Sequence, residues 1–176
     1  MMIAGDLIPY MAKIRKTWVL RNLSDRELEK IVAVSEVVLY QGGEKIISQG
    51  DEGEYFYALL SGLAEVSVKD LQKEQVSINR IKAGDLFGET AIFFPERRIA
   101  TVTALEQTAV LRMHREAVRD YFNQYPAAGN KILMVIAMTL ILRLKETNLE
   151  LALAKDPDID FDYVDSIIND FVKVVE

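Results

Sequence analysis

The sequence predicts a mainly β fold with flanking helices, a double-stranded β-helix or jelly-roll barrel that N-terminal helices precede and one long C-terminal helix follows. Three observations predict it. Segments 36–40, 44–48, 54–60, 63–69, 75–82, 101–106 and 108–113 are short and rich in valine, isoleucine and aromatics, the composition of strands. Glycine-bearing turns separate many of them, at Gly42-Gly43, Gly50-Asp51-Glu52-Gly53, Ser61-Gly62 and Ala83-Gly84-Asp85, as in small barrels and sandwiches. On both sides of this region the apolar period is helical.

The elements follow in order. Residues 6–20 carry Leu7, Tyr10, Met11, Ile14 and Trp18 at helical spacing, with Lys13, Arg15 and Lys16 on the other face. The basic face reads as solvated. Ser24-Asp25-Arg26-Glu27 is a capping box, in which serine and the glutamate three places on satisfy each other's free amides. It predicts a helix from Asp25 to about Ser35, with Leu28, Ile31 and Val32 inward. After the strands come a short helix over 115–123 and a longer one from about Ala127 to Ala154, behind Pro126. Asp156-Pro157-Asp158 breaks it, and Phe161 to Val175 reads as a last, acidic helix. The predicted organisation is an N-terminal helix (1–20), a barrel (21–126), a long helix (127–155) and an acidic C-terminal helix (156–176).

Composition narrows the chemistry. The chain has 176 residues, enough for one domain with a working core, and no cysteine, so disulfides, thiolate metal sites and a cysteine nucleophile are excluded. His114 is the single histidine. No ligand cluster is evident near it, so a metal site is not expected, and a Ser-His-Asp triad would have to use this same histidine. No enzymatic constellation, cofactor or metal is expected. The start at Met1 lacks the basic and apolar regions of a signal peptide, and the expected compartment is the cytoplasm. The most apolar window, Ile132 to Leu144, is too short to span a bilayer and reads as a buried or dimer-forming helix.

The net charge of −6 is concentrated at the end: seven acids and one lysine lie in 156–176. The rest is about neutral, without the broad basic field that nucleic acid requires.

The chemistry is concentrated in the run from Gly84 to Val102. It contains Phe87-Gly88-Glu89-Thr90-Ala91, then Arg97-Arg98-Ile99-Ala100-Thr101-Val102. This run resembles the phosphate-binding cassette of the cyclic nucleotide-binding domain family, which includes regulatory subunits of cAMP-dependent protein kinase and bacterial catabolite activator proteins. Leu20 to Leu28 is similar to the family's leading helix. Gly50 to Tyr57 and Leu60-Ser61-Gly62 are similar to its barrel turns. The likeness covers roughly residues 20–148.

The residue types suit such a ligand. A cyclic nucleotide carries one fixed negative charge, a ribose 2′-hydroxyl and a flat base. Burying the phosphate demands a cation that stays charged and offers a planar fork of donors; Arg98 is the candidate. Gly88 permits close backbone approach, and the amides of Thr90 and Ala91 are candidate donors. The resemblance gives Glu89 the 2′-hydroxyl. Arg97 is the alternative inward arginine, but the nine-residue spacing from Glu89 and the following Ala100-Thr101-Val102 favour Arg98. In the family a threonine or serine after this arginine favours guanine. Ile99 stands there with no hydroxyl, so cAMP is expected over cGMP. Cyclic dinucleotides would need a wider phosphate site. By the same resemblance a residue about forty places on covers the base, and Thr139, Leu142 and Arg143 fall in that window.

The expected function is a cyclic nucleotide-sensing regulatory protein that works by ligand-dependent helix movement. It would form a homodimer through the long helix, which is apolar around much of its circumference, and signal to an unidentified downstream protein. DNA binding is not expected: family members that bind DNA carry a helix-turn-helix domain, whereas here the 21 residues that follow Lys155 include seven acids and one lysine. The alternative is an interaction module with a vestigial pocket that works through the dimer seam and the acidic helix.

Overall fold

The computed structural model describes residues 1–69, 74–94 and 97–155; side chains at 146 and 150–155 lie outside the description. The expected break at Asp156-Pro157-Asp158 and the acidic helix lie outside the described residues. The chain forms two compact units, Met1–Ile136 and one beginning at Ala137.

The first unit holds two antiparallel sheets. Its strands are β1 (Met2–Ile3), β2 (Ser35–Tyr40), β3 (Lys45–Ile47), β4 (Tyr55–Ser61), β5 (Leu63–Lys69), β6 (Gln75–Lys82), β7 (Leu86–Phe87), β8 (Thr101–Ala104) and β9 (Thr108–His114). One sheet has the order β1-β2-β9-β4-β7 and the other β3-β8-β5-β6. This is the expected jelly roll. Strands β1 and β7 were not foreseen. Two residues each are too short to show a period, and they are strands because β2 and β4 offer them backbone partners.

The central strands of the larger sheet are covered on both faces. Val38, Tyr40, Tyr57, Leu59 and Val110 point into the barrel and meet Ile46, Ile81 and Val102 of the other sheet. Val37, Phe56, Ala58, Leu111 and Met113 point the other way, under the helices. Two-sided burial explains why these strands read as continuous apolar runs. Gly62 makes the β4–β5 turn at φ +94°, where a Cβ would stand 2.7 Å from the Gln107 carbonyl oxygen. Only glycine fits there.

The helices differ from expectation mainly at the start. The helix expected over 6–20 is a 3-10 turn, Ile8–Tyr10, followed by the short α1, Met11–Lys16. Thr17 leaves it in extended conformation and bonds its hydroxyl to the Ile14 carbonyl. Trp18 then donates its backbone N–H to Gly84, so a strand-side contact ends what the apolar period would have continued. Helix α2, Asp25–Val32, has the full capping box but stops three residues short of the expected Ser35, which β2 takes by pairing with Met113. Helices α4 (Arg115–Gln124) and α5 (Pro126–Lys155) follow β9.

The apolar window on α5 is longer than the expected thirteen residues. Pro126–Leu149 is long and apolar enough to cross a bilayer by length and composition. Its first part is committed elsewhere: Ala128, Ile132 and Ile136 are buried in the core of the first unit. What remains to Leu149 is about thirteen residues, roughly 20 Å at 1.5 Å each, less than a hydrocarbon core.

Candidate functional site

The strand-helix connection after β7 builds the site. Gly88 adopts φ +69°, which turns the chain off β7 into α3, Thr90–Phe93. Glu89 holds the N-cap position of this single turn without a capping bond from its side chain, and it is buried. The Ala91 N–H donates to the Gly88 carbonyl at 3.2 Å, so of the two candidate amides this one is already used within the turn. Thr90 is exposed.

Arg98 comes to the same place from the far side of the cassette. Its backbone is fixed to the Gly50-Asp51 turn: the Arg98 N–H donates to Asp51 and its carbonyl accepts from Gly50, both at 2.8 Å. Its guanidinium donates to the Gly88 carbonyl at 3.3 Å and to the Tyr55 carbonyl. Burial pulls the Arg98 pKa below its ordinary value, while Tyr57, Glu89 and Asp51 pull it back. The guanidinium is thus a half-buried cation whose direct bonds go to two backbone carbonyls, with the Glu89 and Asp51 carboxylates adding favourable charge.

Gly88, Glu89 and Arg98 thus lie together. Arg97 is exposed and donates to the Gly50 carbonyl at 3.1 Å, and Glu52 opposes it in an isolated bridge. Ile99 is 75 % exposed, and Ala100 is half-buried. Thr139, Leu142 and Arg143 lie on α5 beyond Ile136, in the second unit.

Sequence reading missed the floor of this site. Tyr57 of β4 pairs with Phe87 of β7 and stacks on its ring, with centroids 5.0 Å apart and planes 9° apart. Arg112 of β9, opposite Tyr57, lies over the Tyr55 ring at 4.6 Å and pairs with Glu36 at 2.7 Å. The signal available was weak: aromatic residues in strands are ordinary core. Among the described residues no group of three or more His, Cys, Asp or Glu could hold a metal.

The profile of the family described as the cyclic nucleotide-binding domain matches residues 37–125, just over half of the chain. The chain belongs to the cyclic nucleotide-binding domain family. Its relatives include the cAMP-dependent protein kinase regulatory subunit of Blastocladiella emersonii, 32% identical over 108 residues, covering 61% of this chain and 27% of that protein. The cGMP-dependent protein kinase of Toxoplasma gondii is 36% identical over 92 residues, covering 51% of this chain and 9% of the kinase. The chain spans about a quarter or less of the length of these relatives. Among solved structures, a cyclic nucleotide-binding domain from Methylobacillus flagellatus superposes with a TM-score of 0.79 at 21% identity, covering 86% of this chain and 87% of that one. That likeness shows the cyclic nucleotide-binding fold. Gly88, Glu89 and Arg98 lie within the residues that the family profile matches.

Proposed function

We propose that this chain binds a cyclic nucleotide, cAMP in preference to cGMP, and acts as a cytoplasmic regulatory module without chemistry of its own. The carrying observation is the shared position of the half-buried Arg98 guanidinium, the buried Glu89 and the side-chain-free Gly88. Arg98 would take the cyclic phosphate as its counter-ion. Glu89 would accept the ribose 2′-hydroxyl, which discriminates against a deoxyribose. The preference for cAMP rests on Ile99, which offers guanine no hydroxyl.

Output would pass through α5. A ligand that favours one position of that helix shifts the equilibrium by its differential affinity, typically ~1–3 kcal/mol. Thr139, Leu142 or Arg143 would cover the base, and a downstream protein would read the helix. The apolar residues Met134, Ile141 and Leu144 are exposed on α5, which supports a second copy of the chain as a further partner.

Calorimetry with cAMP and cGMP tests the reading. Arg98→Ala should cost about 2–5 kcal/mol of affinity, the usual loss when one partner of a buried charge pair is removed. No heat with either nucleotide would leave the vestigial-pocket alternative.

A further inference from the structure

We infer that Tyr57 is a positioning residue for Arg98, holding the guanidinium at the cassette through its ring. The inference rests on the cyclic nucleotide reading and adds to it a residue that does not belong to the cassette.

Four observations carry it. Tyr57 is buried and its ring is fixed by the parallel stack on Phe87, the residue directly before Gly88. The Arg98 Cζ lies 5.8 Å from the centroid of that ring, within the range of a cation–π contact. A Cβ on Gly88 would stand 3.2 Å from Tyr57 Cδ2 and 2.9 Å from Arg98 Nη1, so ring and guanidinium flank one bare Cα. Arg98 is also bonded to the carbonyl of Tyr55, two residues earlier on the same strand. Strand β4 therefore holds the arginine twice, by a carbonyl and by a ring.

The arrangement solves a physical problem. An arginine side chain has several rotatable bonds and loses much freedom when fixed. A site that must meet a small cyclic phosphate gains affinity if that loss is incurred before the ligand arrives. The flat Tyr57 ring limits where the guanidinium can go, and Gly88, without a Cβ, leaves it room. The Tyr57 hydroxyl also meets the Arg98 side chain, and burial raises its pKa more than that cation lowers it, so the contact is that of a cation with a neutral phenol.

The test is isothermal calorimetry of the full chain with cAMP. Wild type, Tyr57→Phe, Tyr57→Leu, Arg98→Lys and the double variant Tyr57→Leu with Arg98→Lys are compared, each with its folded fraction set by far-ultraviolet circular dichroism. Tyr57→Phe should bind within about threefold of wild type, because the ring is kept and only the hydroxyl's contact with Arg98 is lost, and Tyr57→Leu should lose roughly tenfold. In the Arg98→Lys background the leucine change should cost almost nothing more, since Tyr57 acts through the arginine. If Tyr57→Leu does not fold, Tyr57→Met, a flexible filler of the same space, takes its place at a lower temperature. Equal losses in both backgrounds, or wild-type affinity in a folded leucine or methionine variant, overturn the positioning role alone. Absence of binding by the wild-type chain overturns the nucleotide reading itself, and the positioning role with it.

Discussion

Nη1 of Arg98 stands 2.9 Å from the point where a Cβ on residue 88 would sit. Glycine and guanidinium share one space, and the left-handed turn at φ +69° serves both the backbone and the arginine. Gly88→Ala therefore meets two penalties at once. The backbone alone costs about 1–2 kcal/mol in that conformation. Urea denaturation should show at least this loss. Calorimetry on the folded variant should show a further drop in cyclic nucleotide affinity, because the guanidinium is pushed aside. A variant that is less stable but binds as wild type would separate the two effects and remove Arg98 from the account.

Ser24 caps α2, more than sixty residues before Gly88 in the sequence. Its hydroxyl accepts from the Glu27 N–H, and the Glu27 carboxylate accepts from the Ser24 N–H at 2.7 Å. Ser24→Ala should cost about 1 kcal/mol of stability and leave ligand affinity unchanged. Parallel denaturation and binding measurements check both halves.

Glu27 also sets a pH dependence. Lys131 Nζ donates to both its oxygens, at 3.1 and 2.9 Å. That contact, followed by the bonds from Ser24, holds its pKa at about 2, below the ordinary 4.5. A depressed carboxylate stabilises the fold above its unfolded pKa, and the contribution is lost as protons are added. The loss should run from about pH 4.5 down to about pH 2. Stability of wild type should fall more steeply across that window than stability of Glu27→Gln. Lys131 is exposed and Glu27 half-buried, so about 1 M salt should narrow the difference. Identical slopes for the two proteins would show that the ion pair contributes nothing.

The apolar surface of α5 predicts assembly. Ile141 and Leu144 are 47 % and 60 % exposed, and a second copy of the chain would cover them. Sedimentation should find a dimer for wild type and a monomer for Ile141→Glu combined with Leu144→Glu. A wild-type monomer at tens of micromolar, on the order of ordinary assay concentrations, would exclude the seam.

Most strands and the caps were legible because their causes are local. The Ser24–Glu27 box states its own helix start, and Gly62 marks a turn that no other residue could make. The end of α1 was not legible. The apolar period runs on to Trp18, but the backbone there is diverted by a bond to Gly84, sixty-six residues further along the chain. The two short strands escaped for the same reason: a dipeptide becomes a strand only when a neighbour offers its edge.

At the site, sequence by itself determined the candidates, Gly88, Glu89 and an arginine nine places on, through their resemblance to the family's cassette. Those are requirements of residue type and short separation, and they can be read without coordinates. Only the tertiary structure decided what lies beneath. Tyr55 and Tyr57 are 43 and 41 residues from Arg98 and reach it because β4 is paired with β7 and the Gly50-Asp51 turn pins the arginine backbone. Tyrosines in a buried strand carry no mark of that duty. Their role arises from which surface the folded sheet sets under the guanidinium, and pairing across forty residues is a property of the whole barrel.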